Sequence, residues 1–251
     1  MTAIARLTRA ELRKLVTTPA YLITLAVGVG LDVIAVVVDV AVAGKNGKPP
    51  LGSMDSTEQM LKLGVVSCVA MLILGIVAAG GEYRHRTIIP ATLVTPRRGA
   101  QVAGKAAAIA IAGVVLSGLT FGAGLATIVG ELSAHGIHHL PPGTGRLYAE
   151  SVIAATLFGV IGVALGYLTR STVAAVVCAV GWVAFAELIV LHTVVPQLEK
   201  WLITGTAVTL TDPTVHGSGT LAPSTAAAVL GGYAAVLLAA AIPFVQRRDI
   251  A

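Results

Sequence analysis

Charge is scarce in this 251-residue chain: 12% of residues are Asp, Glu, Lys or Arg and 56% are hydrophobic. Soluble domains carry roughly 25% charged residues. The shortfall excludes an ordinary water-soluble globule, and with a mean hydropathy of +0.88 it indicates an integral membrane protein. Cysteine is nearly absent. Cys68 and Cys178 both fall in apolar runs, which excludes a disulfide framework and leaves them as packing residues. No lysine is followed by Ser or Thr, so the G-x-x-x-x-G-K-[ST] loop that cradles ATP phosphates is missing and the chain is not its own ATPase. Neither G-x-S-x-G nor H-E-x-x-H occurs, so no catalytic residue is expected. His135, His138 and His139 cluster in "HGIHHLPPG", but no acid or cysteine accompanies them and Pro-Pro follows, so no metal site is expected either. A net charge of +5 is accounted for by loop residues, which argues against nucleic acid as a partner.

Long apolar runs are what the chain has. Crossing about 30 Å of hydrocarbon takes ~20 residues in a helix. Six runs qualify: 20–43, 61–79, 102–129, 147–168, 172–195 and 225–245. The expected fold is therefore an all-α integral membrane protein of six transmembrane helices in one domain, 1–251, with an external loop at 196–224. "AVAG" at 41–44 resembles a signal-peptide cleavage site. The apolar run before it is too long for a signal peptide, whose apolar core is usually about 7–15 residues, so retention as a first span is expected.

Lys and Arg decide orientation. With the N-terminus inside, the inner side holds Arg6, Arg9, Arg13, Lys14, Arg84, Arg86, Arg97, Arg98, Lys105, Arg170, Arg247 and Arg248. The outer side holds Lys45, Lys48, Lys62, Arg146 and Lys200. This imbalance predicts a multi-pass plasma-membrane protein with both termini in the cytoplasm. Tyr21, Tyr83, Tyr148 and Tyr167 fall near span ends, where an amphipathic ring is favoured.

The leader, residues 1–19, has helical periodicity. Arg6, Arg9 and Arg13 share one face, Ile4, Leu7, Leu12 and Leu15 lie roughly opposite, and Pro19 closes the run. It reads as an interfacial helix on the inner membrane surface, bound to anionic lipid or serving as a docking element. "GLTFG" (Gly118, Gly122) and "GVALG" (Gly162, Gly166) are sites of close helix packing.

Three acids fall inside spans. Asp32 and Asp39 are seven residues apart, on one stripe and about 10 Å apart along the axis. Each costs up to ~2.5–3.5 kcal/mol at a span centre, so the stripe should face the bundle interior, a wet cavity or a partner. Glu187 is the third. All three are candidates for a translocation path recognising cationic or amphiphilic cargo, and interhelical hydrogen bonding is the structural alternative.

The stretch "GGEYRHRTIIPATLVTPRR", 80–98, holds four arginines in one loop. Its order resembles that of the permease subunits of ABC-2-type exporters, whose corresponding loop reads much like E-Y-R-x-x-T…L-x-x-x-P-x-R…K. The matching residues are Glu82, Tyr83, Arg84, Thr87, Pro96, Arg98 and Lys105. Arg86 departs from the pattern, which often has a small residue there. The basic leader, the six spans, span five with "WVAFAELIVLHTVVP" and the closing "RRDI" extend the likeness over nearly the whole chain. The resemblance implies that 82–96 is a coupling helix in a groove of a cytoplasmic ATPase, with the leader beside it as a connecting helix. ATP and Mg would belong to that ATPase, and a second permease, identical or different, would complete the pore. It also implies a short external helix around Lys200 and Trp201. The alternatives are a proton-coupled secondary transporter using Asp32, Asp39 and Glu187, and a non-transporting membrane scaffold.

Overall fold

The computed structural model describes residues 3–62, 64–84, 98–183, 196–215 and 220–247. These are helical throughout apart from turns and connections, with no strand among them. An apolar surrounding explains the choice, because a helix satisfies its backbone donors and acceptors internally. In chain order the elements are α1 (Ala3–Thr17), α2 (Pro19–Val42), α3 (Met54–Met60), α4 (Gly64–Arg84), α5 (Arg98–Ala134) and α6 (Thr144–Thr169). They continue with α7 (Thr172–Gly181), α8 (Pro196–Glu199), α9 (Ile203–Thr211), a 3-10 turn (Pro213–Val215) and α10 (Pro223–Arg247).

Five helices, α2, α4, α5, α6 and α10, are long and apolar enough to cross a membrane. The expected span 172–195 is described as far as 183 and opens with the ten-residue α7. Its remainder, 184–195, lies outside the described residues.

Local chemistry sets the boundaries. Thr18 is extended and Pro19 occupies the first turn of α2, so the leader and the first span are two helices rather than one. The Ser53 hydroxyl accepts from the Ser56 amide and caps α3. Arg170 takes a left-handed φ of 55° to end α6, and the Ser171 hydroxyl accepts from the Ala174 amide to start α7. Two helices are longer than the apolar pattern alone predicts. α4 runs on through Arg84, so residues 80–84 of the expected loop are helical. α5 has 37 residues, about 55 Å at 1.5 Å each, and projects beyond a hydrocarbon layer. Within 196–224, α9 buries Thr206, Ala207 and Leu210 and packs against α10, α6 and α4.

The ends of the bundle differ in chemistry. At one, the C-termini of α4, α6 and α10 meet α1 and the start of α5. Arg98 Nη1 donates to the Val245 carbonyl at 2.6 Å, and Arg170 Nη2 donates to the Phe244 carbonyl at 3.2 Å. These carbonyls lie in the last described turn of α10. At the other end, Lys48 pairs with Asp39 at 3.3 Å and Lys62 with Asp212 at 3.1 Å.

The most extensive helix pair is α4 with α6. A Cβ on Gly75 would lie 2.0 Å from the Gly159 carbonyl oxygen, and one on Gly162 would lie 2.1 Å from the Leu72 carbonyl oxygen. The two backbones therefore touch, which only glycine permits. Gly118 and Gly122, expected at a close helix contact, are not at one: an added Cβ would meet Tyr148 only at 3.4 and 3.8 Å, and the Tyr148 hydroxyl donates to the Gly118 carbonyl at 2.8 Å. A Gly162→Ala chain should lose ~1–3 kcal/mol through forced separation of α4 and α6. Gly130→Ala is the control, because nothing lies within 4 Å of its added Cβ. Thermal unfolding in lipid nanodiscs checks the pair: the midpoint should fall for Gly162→Ala and stay level or rise for Gly130→Ala.

Candidate functional site

The arginine-rich end contains a charge cluster assembled from three helices. Lys105, two turns into α5, is 4% exposed. A lysine so buried needs anionic partners, because an isolated ammonium in an apolar interior is prohibitively costly. It has two. Its Nζ pairs with Glu82 at the end of α4, at 2.9 Å, and with Glu11 on α1. Lys14, on the next turn of α1, bonds to Glu11 and reaches Glu82 at 3.2 Å. Two cations and two carboxylates make a neutral set, each carboxylate shared between both lysines.

Glu11 is what the sequence does not advertise. It lies on the apolar face of α1 together with Leu7, Leu12 and Leu15. That face packs on α5, where a Cβ on Gly104 would come within 2.9 Å of Leu7 Cβ. The half-buried Glu11 on this face pairs with Lys105 and so ties α1 to α5. Its signal in the sequence was an acidic residue interrupting an apolar helical stripe. Arg6, Arg9 and Arg13 occupy the opposite face and are exposed, with no ion pair among the described residues.

A second layer surrounds the cluster. Tyr83 meets Tyr167 edge to face, with ring centroids 6.2 Å apart, and the Arg170 guanidinium lies 5.5 Å from the Tyr83 centroid. Tyr167 is buried, so these two tyrosines pack on protein instead of forming a belt toward lipid.

The structure thus joins two residues of the expected coupling pattern, Glu82 and Lys105, and surrounds them with Tyr83 and Arg98. Arg84 is exposed at the last position of α4. Arg86, Thr87, Pro96 and Glu187 lie outside the described residues. The aspartate stripe separates into two environments. Asp39 is half-buried near the end of α2 and paired with Lys48, whereas Asp32 is 2% exposed and its Oδ2 has no hydrogen-bond partner among the described residues.

No protein-family model matches the chain, and no curated protein matches it significantly.

The cluster has a defined electrostatic balance. Burial pushes the Glu11 carboxyl up, but the charges and hydrogen bonds of Lys105 and Lys14 outweigh it and hold Glu11 below its ordinary 4.5. Burial pushes Lys14 down, but Glu11 and Glu82 outweigh that and hold it above its ordinary 10.5. The signs follow from linkage. Glu11, lowered on folding, contributes its full share above pH 4.5 and loses it as pH falls through its folded value. Lys14, raised on folding, contributes fully below 10.5 and loses its share as pH rises through its folded value. Hydrogen-exchange protection of α1 should therefore be flat across neutral pH and fall on the acid side, and Glu11→Gln should weaken that acid dependence. Lys105→Met leaves the two carboxylates with Lys14 as their one shared cation and should destabilise the chain, read as a lowered unfolding midpoint.

Proposed function

We propose that this chain is the membrane-spanning permease subunit of an ABC-2-type exporter, driven by a separate cytoplasmic ATPase that binds ATP and Mg. A second permease, identical or different, completes the path across the plasma membrane. The arginine-rich end, with both termini, faces the cytoplasm.

What supports this is the way segment 85–97 is anchored. Just before it, Glu82 is tied to α5 through Lys105 and to α1 through Lys14. Just after it, Arg98 is tied to the end of α10. A push on the segment would reach three helices through polar contacts that resist stretching, which is what a coupling element requires. Arg84, Arg86, Thr87 and Pro96 would then meet the ATPase, and closure of two ATPase subunits would re-pack the spans around a central path. The cargo class is an amphiphile: a drug, antibiotic, peptide or lipid. A proton-coupled secondary transporter is the second reading, and the buried, incompletely bonded Asp32 is the observation that favours it.

Arg84→Glu should weaken co-purification of the ATPase, since like charges brought together at an interface cost several kcal/mol. Insertion in the membrane should be unchanged, because Glu82, Lys105 and the apolar helices are untouched. Undiminished co-purification and cargo-stimulated ATP hydrolysis with Arg84→Glu would remove Arg84 from the coupling surface. Transport that survives ATP depletion with the proton gradient intact would favour the secondary transporter.

A further inference from the structure

Asp32 lies 13 residues into the 24-residue α2, about 20 Å from one end and 15 Å from the other. It shares a face with Thr24, Gly28 and Val36, at four-residue spacing, and this face packs on α5 and α4. Gly28 brings α2 close to α5, where an added Cβ would sit 3.0 Å from the Thr120 side chain. One turn below Asp32 is a cavity of roughly one water's size, lined in part by Thr24, Gly28, Ser67, Ser117 and Thr120.

The hydrogen-bond roles in that lining are one-sided. Thr24, Ser117 and Thr120 each donate their only hydroxyl proton to a carbonyl of their own helix: Ala20, Gly113 and Leu116. Their oxygens are left as acceptors. Ser67, 3% exposed, has no hydrogen-bond partner among the described residues. Asp32 adds a carboxylate with an unbonded oxygen. The seam from Thr24 to Asp32, about 12 Å long, therefore offers lone pairs and one anionic group with a single uncommitted donor. Such a surface suits a cation and disfavours an anion.

A site of one water's size holds no organic ligand until a wall moves, and α2 is the wall least held in place. Only 17% of its apolar window is buried, against 72% for α6. Leu22, Ile23, Val27 and Ile34 on its far side are exposed. Close glycine contacts hold α4 on α6, whereas the hydroxyls of Thr24, Ser117 and Thr120 at the α2 contact bond back to their own helices, so parting α2 breaks none of those bonds.

We propose that the Thr24–Asp32 seam is an intramembrane site for an organic cation, opened by displacement of α2 from α4 and α5, with Asp32 as the counter-charge. Asp39 takes no part, since Lys48 already neutralises it. The identity of the cation as the charged group of an exported amphiphile rests on the transport function proposed above, but the site itself does not.

The test uses the full chain in lipid nanodiscs without ATP or ATPase. Tetraphenylphosphonium is the cationic probe, tetraphenylborate its anionic counterpart, and empty discs supply the background. Wild type should bind the cation saturably and the anion only at background level. Asp32→Asn should weaken cation binding at least about tenfold, and Asp39→Asn should leave it within about twofold. Equal binding by Asp32→Asn and wild type, or no saturable binding by wild type, would overturn the site. A Ser117→Cys chain decides the matter should Asp32→Asn fail to fold. Alkylation of residue 117 by N-ethylmaleimide, followed by mass spectrometry, should slow at saturating tetraphenylphosphonium, and an unchanged rate would likewise overturn it. ATP-independent transport with cation binding intact would remove the exporter and keep the site. ATP-dependent transport without Asp32-dependent binding would do the reverse.

Discussion

A buried ammonium cannot be left without counter-charge, and the arginine-rich end of this protein is arranged around that requirement at Lys105. One carboxylate would neutralise the charge but leave hydrogen-bonding capacity unused, since an ammonium has three donors. Two carboxylates, Glu11 and Glu82, bring α1 and α4 onto the start of α5, and Lys14 then offsets the surplus negative charge. A set of this kind is weak as a source of net stability, because desolvation consumes most of the Coulombic gain. Its strength is specificity: each member left alone is costly, so the three helix ends have one register in which all are satisfied.

The middle of the bundle obeys another rule. Without a hydrophobic drive between helices in lipid, association depends on close packing and polar contacts. α4 and α6 use the first, with glycine carbonyls in backbone contact. α2 and α5 also use the first, with Gly28 against Thr120, while the hydroxyls along the seam bond back to their own helices. Glycine contacts lose their dispersion energy as soon as the helices part. α4 and α6 are therefore in backbone contact, whereas α2 is the least buried of the five long apolar helices.

Hydropathy made the five long apolar helices legible, since crossing a bilayer imposes a characteristic run length. Pro19 marked the break between α1 and α2 for an equally local reason. The extension of α4 through Arg84 was hidden because Glu82 reads as a loop residue until its partners, Lys105 and Lys14, are known. Glu11 was hidden for the same reason: periodicity gives the face of a helix but not what covers it. Asp32 and Asp39 share a stripe in the sequence, and only the fold reveals that Lys48 reaches one and not the other. Buried α9 carries too many threonines to register as an apolar run. Its hydroxyls bond back to their own helix, as Thr206, Thr209 and Thr211 do, and so enter the interior at little cost.

Comparison of the polar groups that are satisfied within the chain with those that are not locates where other molecules must act. Lys14, Lys105, Glu11, Glu82, Asp39 and Asp212 all have internal partners. Arg6, Arg9 and Arg13 have no ion pair among the described residues, but they are exposed, so their charge needs no ligand to be tolerated. Asp32 has almost no solvent, and its Oδ2 has no hydrogen-bond partner among the described residues. A carboxylate in that position is costly to keep. Set beside an acceptor-lined seam on the least buried of the long apolar helices, that cost makes a role in recognition the physical account that uses every one of those features.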